Sequence, residues 1–137
     1  MIVDTSAIVA ILRGEADADR CIEAISLVAE PRRSAGTHLE TAIVVDANRD
    51  PVLSGRLDDR LAAAPVQVEP VTRRHAEIAR QAYRDSGKGS GHPAGLNLGD
   101  CFAYALARAS GEPLLFKGDA FTKTDVASAL DRSADDR

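Results

Sequence analysis

Asp4, Glu40, Asp100 and Asp119 each stand where a predicted strand has just ended or a predicted helix is just beginning. In a sheet of parallel strands, such positions collect at one edge. Carboxylates resist leaving water and repel one another, so four directed to one place need a cation among them. Oxygen ligands suit a hard divalent ion, Mg²⁺ or Mn²⁺, which keeps several waters and often borrows oxygens from a substrate phosphate. The chemistry implied is metal-assisted phosphodiester hydrolysis, in which the ion polarises the phosphoryl group and acidifies a water, with no Ser, Cys or His nucleophile.

Each acid also has a local reading. Glu40 lies three residues after Thr37, and Asp100 three after Asn97, so each can complete a helix cap and complement the helix dipole. Asp4 can cap the first helix, and Gly118-Asp119 can be a turn. Four independent caps, however, have no reason to choose the same edge of one sheet. His38, His75 and His92 have no metal-ligand spacing among themselves. His38 and His75 fit helix surfaces or the core margin, and His92, in a glycine-rich loop, is a candidate phosphate contact.

The elements that must position these acids alternate along the chain. Ile2-Val3 is a short apolar strand stopped by Asp4, and Thr5-Ser6 can cap a helix that Gly14 ends. Apolar residues from Glu15 to about Ala29 recur with helical spacing, and Pro31 closes that segment. A strand is expected at 33–35 because Thr37 then opens a helix with Leu39, Ala42, Ile43 and Val44. Asp50-Pro51 starts another, and Val66-Gln67-Val68 alternates like a strand. Thr72 caps a helix ended by Gly87, and the segment Gly87 to Gly95, with four Gly and one Pro, is the expected substrate-facing loop. Asn97 caps the helix that Gly111 stops, and Pro113-Leu114-Leu115-Phe116 suits a strand covered on both faces.

This alternation predicts a three-layer α/β/α domain, a short and mostly parallel central sheet with right-handed crossovers and the first strand in the middle. The domain is expected to span 1–130, with 131–137 a polar C-terminal tail. At 137 residues one core is expected, and with 45% hydrophobic but 4% aromatic residues it must be built from Ala, Leu, Val and Ile. A formal net charge of -4 argues against a broad basic surface that binds nucleic acid by neutralising many phosphates. Arg73, Arg74, Arg80, Arg84 and Lys88 could form a local basic flank, although a solvated helix face suits Arg80 and Arg84 better. Lys117 and Lys123 border Asp119. Cys21 and Cys101 read as buried thiols, and the absence of a long apolar run predicts a cytoplasmic protein without a membrane span.

Met1-Ile2-Val3-Asp4-Thr5-Ser6-Ala7, Glu40, Leu96-Asn97-Leu98-Gly99-Asp100-Cys101-Phe102 and Leu114-Leu115-Phe116-Lys117-Gly118-Asp119 are motifs in which the chain resembles PIN-domain ribonucleases, specifically VapC toxins of bacterial toxin-antitoxin pairs. The resemblance covers nearly the whole chain. It implies a metal-dependent endoribonuclease whose Asp4, Glu40, Asp100 and Asp119 surround Mg²⁺ or Mn²⁺. For the fourth place Asp125 is a reserve candidate, because relatives often carry two polar residues before Phe where this chain has Asp119-Ala120-Phe121. It further implies a homodimer and a small VapB-type antitoxin that wraps the protein, seated in a groove of the first three helices with anchors such as Ile8, Ile11, Ile22 and Ile25. Single-stranded or looped RNA is the expected substrate, since its bases are unstacked. Two other readings stand beside this one. A phosphatase of the haloacid-dehalogenase type also places an Asp after its first strand, but it needs Asp-x-Asp, and position 6 is Ser6. A catalytically idle module of the same fold, kept for protein contacts, is the other.

Overall fold

The computed structural model describes residues 1–63 and 66–131. Its four strands are β1 (Ile2–Val3), β2 (Arg32–Ser34), β3 (Gln67–Glu69) and β4 (Leu114–Leu115), all parallel in the order β3-β2-β1-β4. Around them lie α1 (Thr5–Arg13), α2 (Ala18–Ser26), α3 (Ala35–Asp46), α4 (Pro51–Ala63), α5 (Arg73–Ser86) and α6 (Leu98–Ser110), with a 3₁₀ turn at Phe121–Lys123. The polar tail expected at 131–137 falls, from 132 onward, outside the described residues.

Strand side chains alternate between faces, and two residues per strand suffice to build two cores. Ile2 and Leu114 pack with Leu96, Cys101, Leu106 and Phe121 on the α5–α6 side. Val3 and Leu115 pack with Ala7, Cys21 and Ala24 on the α1–α2 side. A smaller cluster of Leu12, Val45 and Leu57 joins α1, α3 and α4. The central sheet is therefore sandwiched between helices, as the alternation of elements predicted, and β1 is interior. Among the described residues no helix is long and apolar enough to cross a membrane.

Connections from β1 to β2 and from β2 to β3 walk toward one edge, and the chain then returns to set β4 on the far side of β1. The direction of travel reverses at β1, which opens a crevice beyond the carboxyl ends of β1 and β4. Several boundaries differ from the sequence expectation. β2 and β3 are each displaced by one residue, and α2 is shorter at both ends. Of the caps the sequence offered for α1, Asp4 is the one used and not Thr5 or Ser6, while Ser34 caps α3 and Thr37 lies buried within it. In both cases the last strand residue, or the one after it, caps the helix directly, leaving no connecting turn.

Candidate active site

Asp4 is the N-cap of α1, its Oδ2 accepting from the Ser6 N–H at 3.0 Å and from the Ser6 hydroxyl at 2.7 Å. That hydroxyl accepts in turn from the Lys117 N–H at 2.9 Å, which ties the end of β4 to the start of α1. Asp4 is only 3% exposed, and its Oδ1 is buried with no hydrogen-bond partner among the described residues. Burial pushes its carboxyl up to about 6, with the nearby negative charges of Asp100 and Glu40 adding to the shift and the Ser6 bonds opposing it.

Glu40 projects from the second turn of α3. Thr5 Oγ1 donates to Glu40 Oε1 at 2.6 Å and lies 2.9 Å from the hydroxyl of Thr41, which is itself within donating distance of the Thr37 carbonyl at 2.8 Å. On its other side Glu40 presses on Gly99, where any Cβ would overlap the carboxylate. Burial raises the Glu40 carboxyl above its usual range, partly offset by the Thr5 bond and reinforced by Asp100. Asp100 forms a reciprocal capping box at the start of α6, accepting from the Asn97 N–H at 3.0 Å while Asn97 Oδ1 accepts from the Asp100 N–H at 2.8 Å. Its carboxyl is also raised by burial.

Capping and convergence are therefore not alternatives: Asp4 and Asp100 both cap helices and still meet Glu40 electrostatically. Asp119 is placed differently. It lies exposed in the bend after β4, two residues past Lys117, and is not among the charges acting on Asp4, Glu40 or Asp100. Asp125 sits away from the three acids, accepting from the Tyr104 hydroxyl at 2.6 Å and pairing with Arg108 at 3.0 Å near the start of β4. The three histidines are engaged locally. Nδ1 of His38 accepts from Arg33, that of His75 from the Thr72 N–H and that of His92 from the Ala94 N–H.

Thr5, Ser6, Thr41 and Gly99 hold the acids, and composition or periodicity did not single them out. A glycine immediately before an acid in the first turn of a helix was the available signal for Gly99. Among the described residues no three His, Cys, Asp or Glu close into a ready-made metal cage. The donor set nonetheless fits a hard divalent ion, because a buried carboxylate oxygen without a donor, beside two more carboxyls held above their usual range, is stabilised by a cation. An ion that retains its waters does not require all side chains to touch it.

Around this edge, the ends of the Gly87–Gly95 loop are pinned beside the start of α6 by Lys88 N–H to the Leu96 carbonyl, 2.8 Å, and Leu96 N–H to the Ser86 carbonyl, 2.9 Å. Arg80 and Arg84 line an open cleft of about 570 Å³ between α5 and α6, with Tyr83, Leu98 and Phe102. Lys117 instead pairs with Glu15, and Arg73 with Glu77.

The PIN domain family model matches residues 1–127. The chain belongs to the PIN domain family. Within it, the chain is 56% identical over 132 residues to ribonuclease VapC28 of Mycobacterium tuberculosis, covering 96% of this chain and 99% of the relative. It is 50% identical over 129 residues to ribonuclease VapC42 of the same species, covering 94% and 98%. These relatives place it among the VapC ribonucleases. The fold matches that of M. tuberculosis VapC20, described as a sarcin-ricin loop cleaving toxin, with a TM-score of 0.70 at 17% identity over 92% of this chain and 95% of that one. It also matches a chain of a toxin-antitoxin complex from Klebsiella pneumoniae, TM-score 0.67 at 16% identity over 93% and 96%. The PIN architecture thus accounts for the sheet order and for the crevice that gathers Asp4, Glu40 and Asp100.

Proposed function

We propose that the chain is the toxin of a VapBC-type toxin-antitoxin pair and an endoribonuclease dependent on Mg²⁺ or Mn²⁺, leaving a 5′ phosphate and a 3′ hydroxyl. One observation carries the metal dependence: the buried Asp4 Oδ1, without a donor, faces a field made more negative by Glu40 and Asp100. Asp4, Glu40 and Asp100 would hold the ion, with Asp119, in the exposed bend after β4, as the fourth acid. When bound, the ion supplies charge neutralisation at the phosphoryl group and acidifies a water. Thr5 and Gly99 fix the Glu40 carboxylate, Ser6 fixes Asp4, and the Asn97 box fixes Asp100, so the acids are oriented before substrate arrives.

RNA with unpaired bases suits the cleft beside the acids, where the apolar and aromatic surface of Leu98, Phe102 and Tyr83 can receive bases and Arg80 and Arg84 can meet phosphates. A homodimer is supported by apolar side chains left in water on neighbouring helices, Leu39 and Ile43 on α3 and Leu98 on α6, the last 71% exposed. Purified chain freed of any antitoxin is expected to cut RNA with Mg²⁺ or Mn²⁺ and to stop in chelator. Cleavage undiminished in chelator would refute the reading.

A further inference from the structure

Glycine inside a helix lowers its stability, so a glycine on each of two facing helices calls for a reason. Gly36 stands in the first turn of α3 and Gly99 in the first turn of α6, and neither has a positive φ, so the backbone does not demand glycine at either place. What each lacks is room. A Cβ on Gly36 would collide with Cγ, Cδ1 and Cδ2 of Phe102 at nearly equal distances, which sets the glycine over the face of the ring and not at its edge. A Cβ on Gly99 would overlap the Glu40 carboxylate.

The two contacts form one device. Gly36 and Glu40 are four apart on α3, and Gly99 and Phe102 three apart on α6, spacings that put each pair on one helix face. Each helix therefore offers the other a glycine and a large side chain, in opposite order. Gly99 directly precedes Asp100, so the packing that spaces the helices also spaces Glu40 from Asp100. Among the described residues no hydrogen bond does this work, since Glu40 accepts from Thr5 of α1 and Asp100 from the N–H of its own cap, Asn97. Filling the core does not explain the ring either. Phe102 is half-buried and stands outside all three apolar clusters, and its remaining surface lines the α5–α6 cleft. We propose that Phe102 is a positioning residue whose ring, seated on Gly36, holds α3 and α6 at the spacing at which Glu40 and Asp100 share one divalent ion. The proposal rests on the metal-dependent ribonuclease reading. Close-packed groups compress little and transmit displacement, so a ring against a glycine backbone makes a firm spacer.

The test measures Mn²⁺ affinity by calorimetry and Tm on the full chain stripped of ions. Gly36→Ala alters neither an acid nor the cleft lining, yet it should weaken Mn²⁺ binding about tenfold, the low end for residues that orient metal ligands from behind. Adding Phe102→Leu to Gly36→Ala makes room for the methyl group and should restore affinity to within about threefold of the wild-type chain. A role in stability alone would lower the Tm of the variants and leave the affinity of the folded chain as it was. Unchanged affinity in Gly36→Ala, or a double variant that binds no more tightly than Gly36→Ala, overturns the proposal. Where Gly36→Ala does not fold, Phe102→Leu alone decides, since it only removes atoms: weaker Mn²⁺ binding supports the spacer and unchanged binding overturns it. A wild-type chain that neither binds Mn²⁺ nor cuts RNA removes the ribonuclease reading and this proposal with it, whereas wild-type binding with indifferent variants overturns the proposal alone.

Discussion

Two parts of this molecule hold buried charge without an opposite charge among the described residues, and they are of opposite sign. At the carboxyl ends of β1 and β4, Asp4 is buried with one oxygen unsatisfied and two acids nearby. Beneath α1, α2 and α4, Arg33 is buried among aliphatic side chains with a neutral histidine. An isolated core would discard both, since each raises the free energy of the folded state. The contrast lies in how each charge is held. The acids are braced by Ser6, Thr5, Gly99 and Asn97, whereas Arg33 has a single side-chain brace, His38, and lines an apolar cavity.

Asp4→Asn tests the acidic half most severely. Cleavage should fall on the order of 10³-fold, the scale of several kcal/mol of lost charge stabilisation. The ion-free protein should gain up to about 3 kcal/mol at pH 7, read by urea unfolding, because the folded-state value near 6 against the ordinary 3.8 marks the ionised form as destabilising. Loss of activity with loss of stability would instead make Asp4 a structural cap. Next in size, Gly99→Ala should displace the Glu40 carboxylate and lower kcat by roughly 10²-fold, the usual penalty for misplacing a reacting group by about 1 Å. Weaker Mn²⁺ binding by calorimetry should accompany it. Thr5→Val removes one bond to a charged group, and about tenfold is expected.

The pH dependence sharpens the same contrast. Because Asp4 titrates higher in the folded state, that state holds the extra proton between about pH 4 and 6, and stability falls as pH rises through this window. Mg²⁺ should therefore raise the Tm more at pH 7 than at pH 5, where it must first displace a proton. An equal shift at both values would remove the cation from the Asp4 site. The smallest effects belong to the exposed acids. Asp119→Asn should cost less than about tenfold, since an exposed charge is screened, and Asp125→Asn should leave the cleavage rate unchanged. A loss at Asp119 equal to that at Asp4 would bring a fourth carboxylate into the site.

Helix periodicity and caps made most of this architecture readable in advance, because Gly14, Thr72, Asn97 and Gly111 act within a few residues of themselves. The order of elements likewise put β1 in the interior. Strands of two and three residues carry too little pattern to fix their ends, hence the one-residue displacement of β2 and β3. At the site, acid type and position were legible, whereas the Thr5–Thr41 hydroxyls and the Gly99 contact depend on pairs separated by dozens of residues. Arg33 was read as part of a weak strand and nothing more. Only the register that lines it up with Val3 and Val68 marks it as out of place.

The interior position of β1 also governs when the enzyme can come into being during synthesis. Asp4 N–H bonds to the Leu115 carbonyl at 2.9 Å, and Ser6 is held by the Lys117 N–H, so residues made early wait for partners 111 positions further along the chain. A nascent or truncated chain that stops before β4 has three of its strands but not the strand that completes the acidic edge. Such a chain lacks both bonds that tie the Asp4–Ser6 segment to its partner strand, so Asp4 has lost part of what orients it.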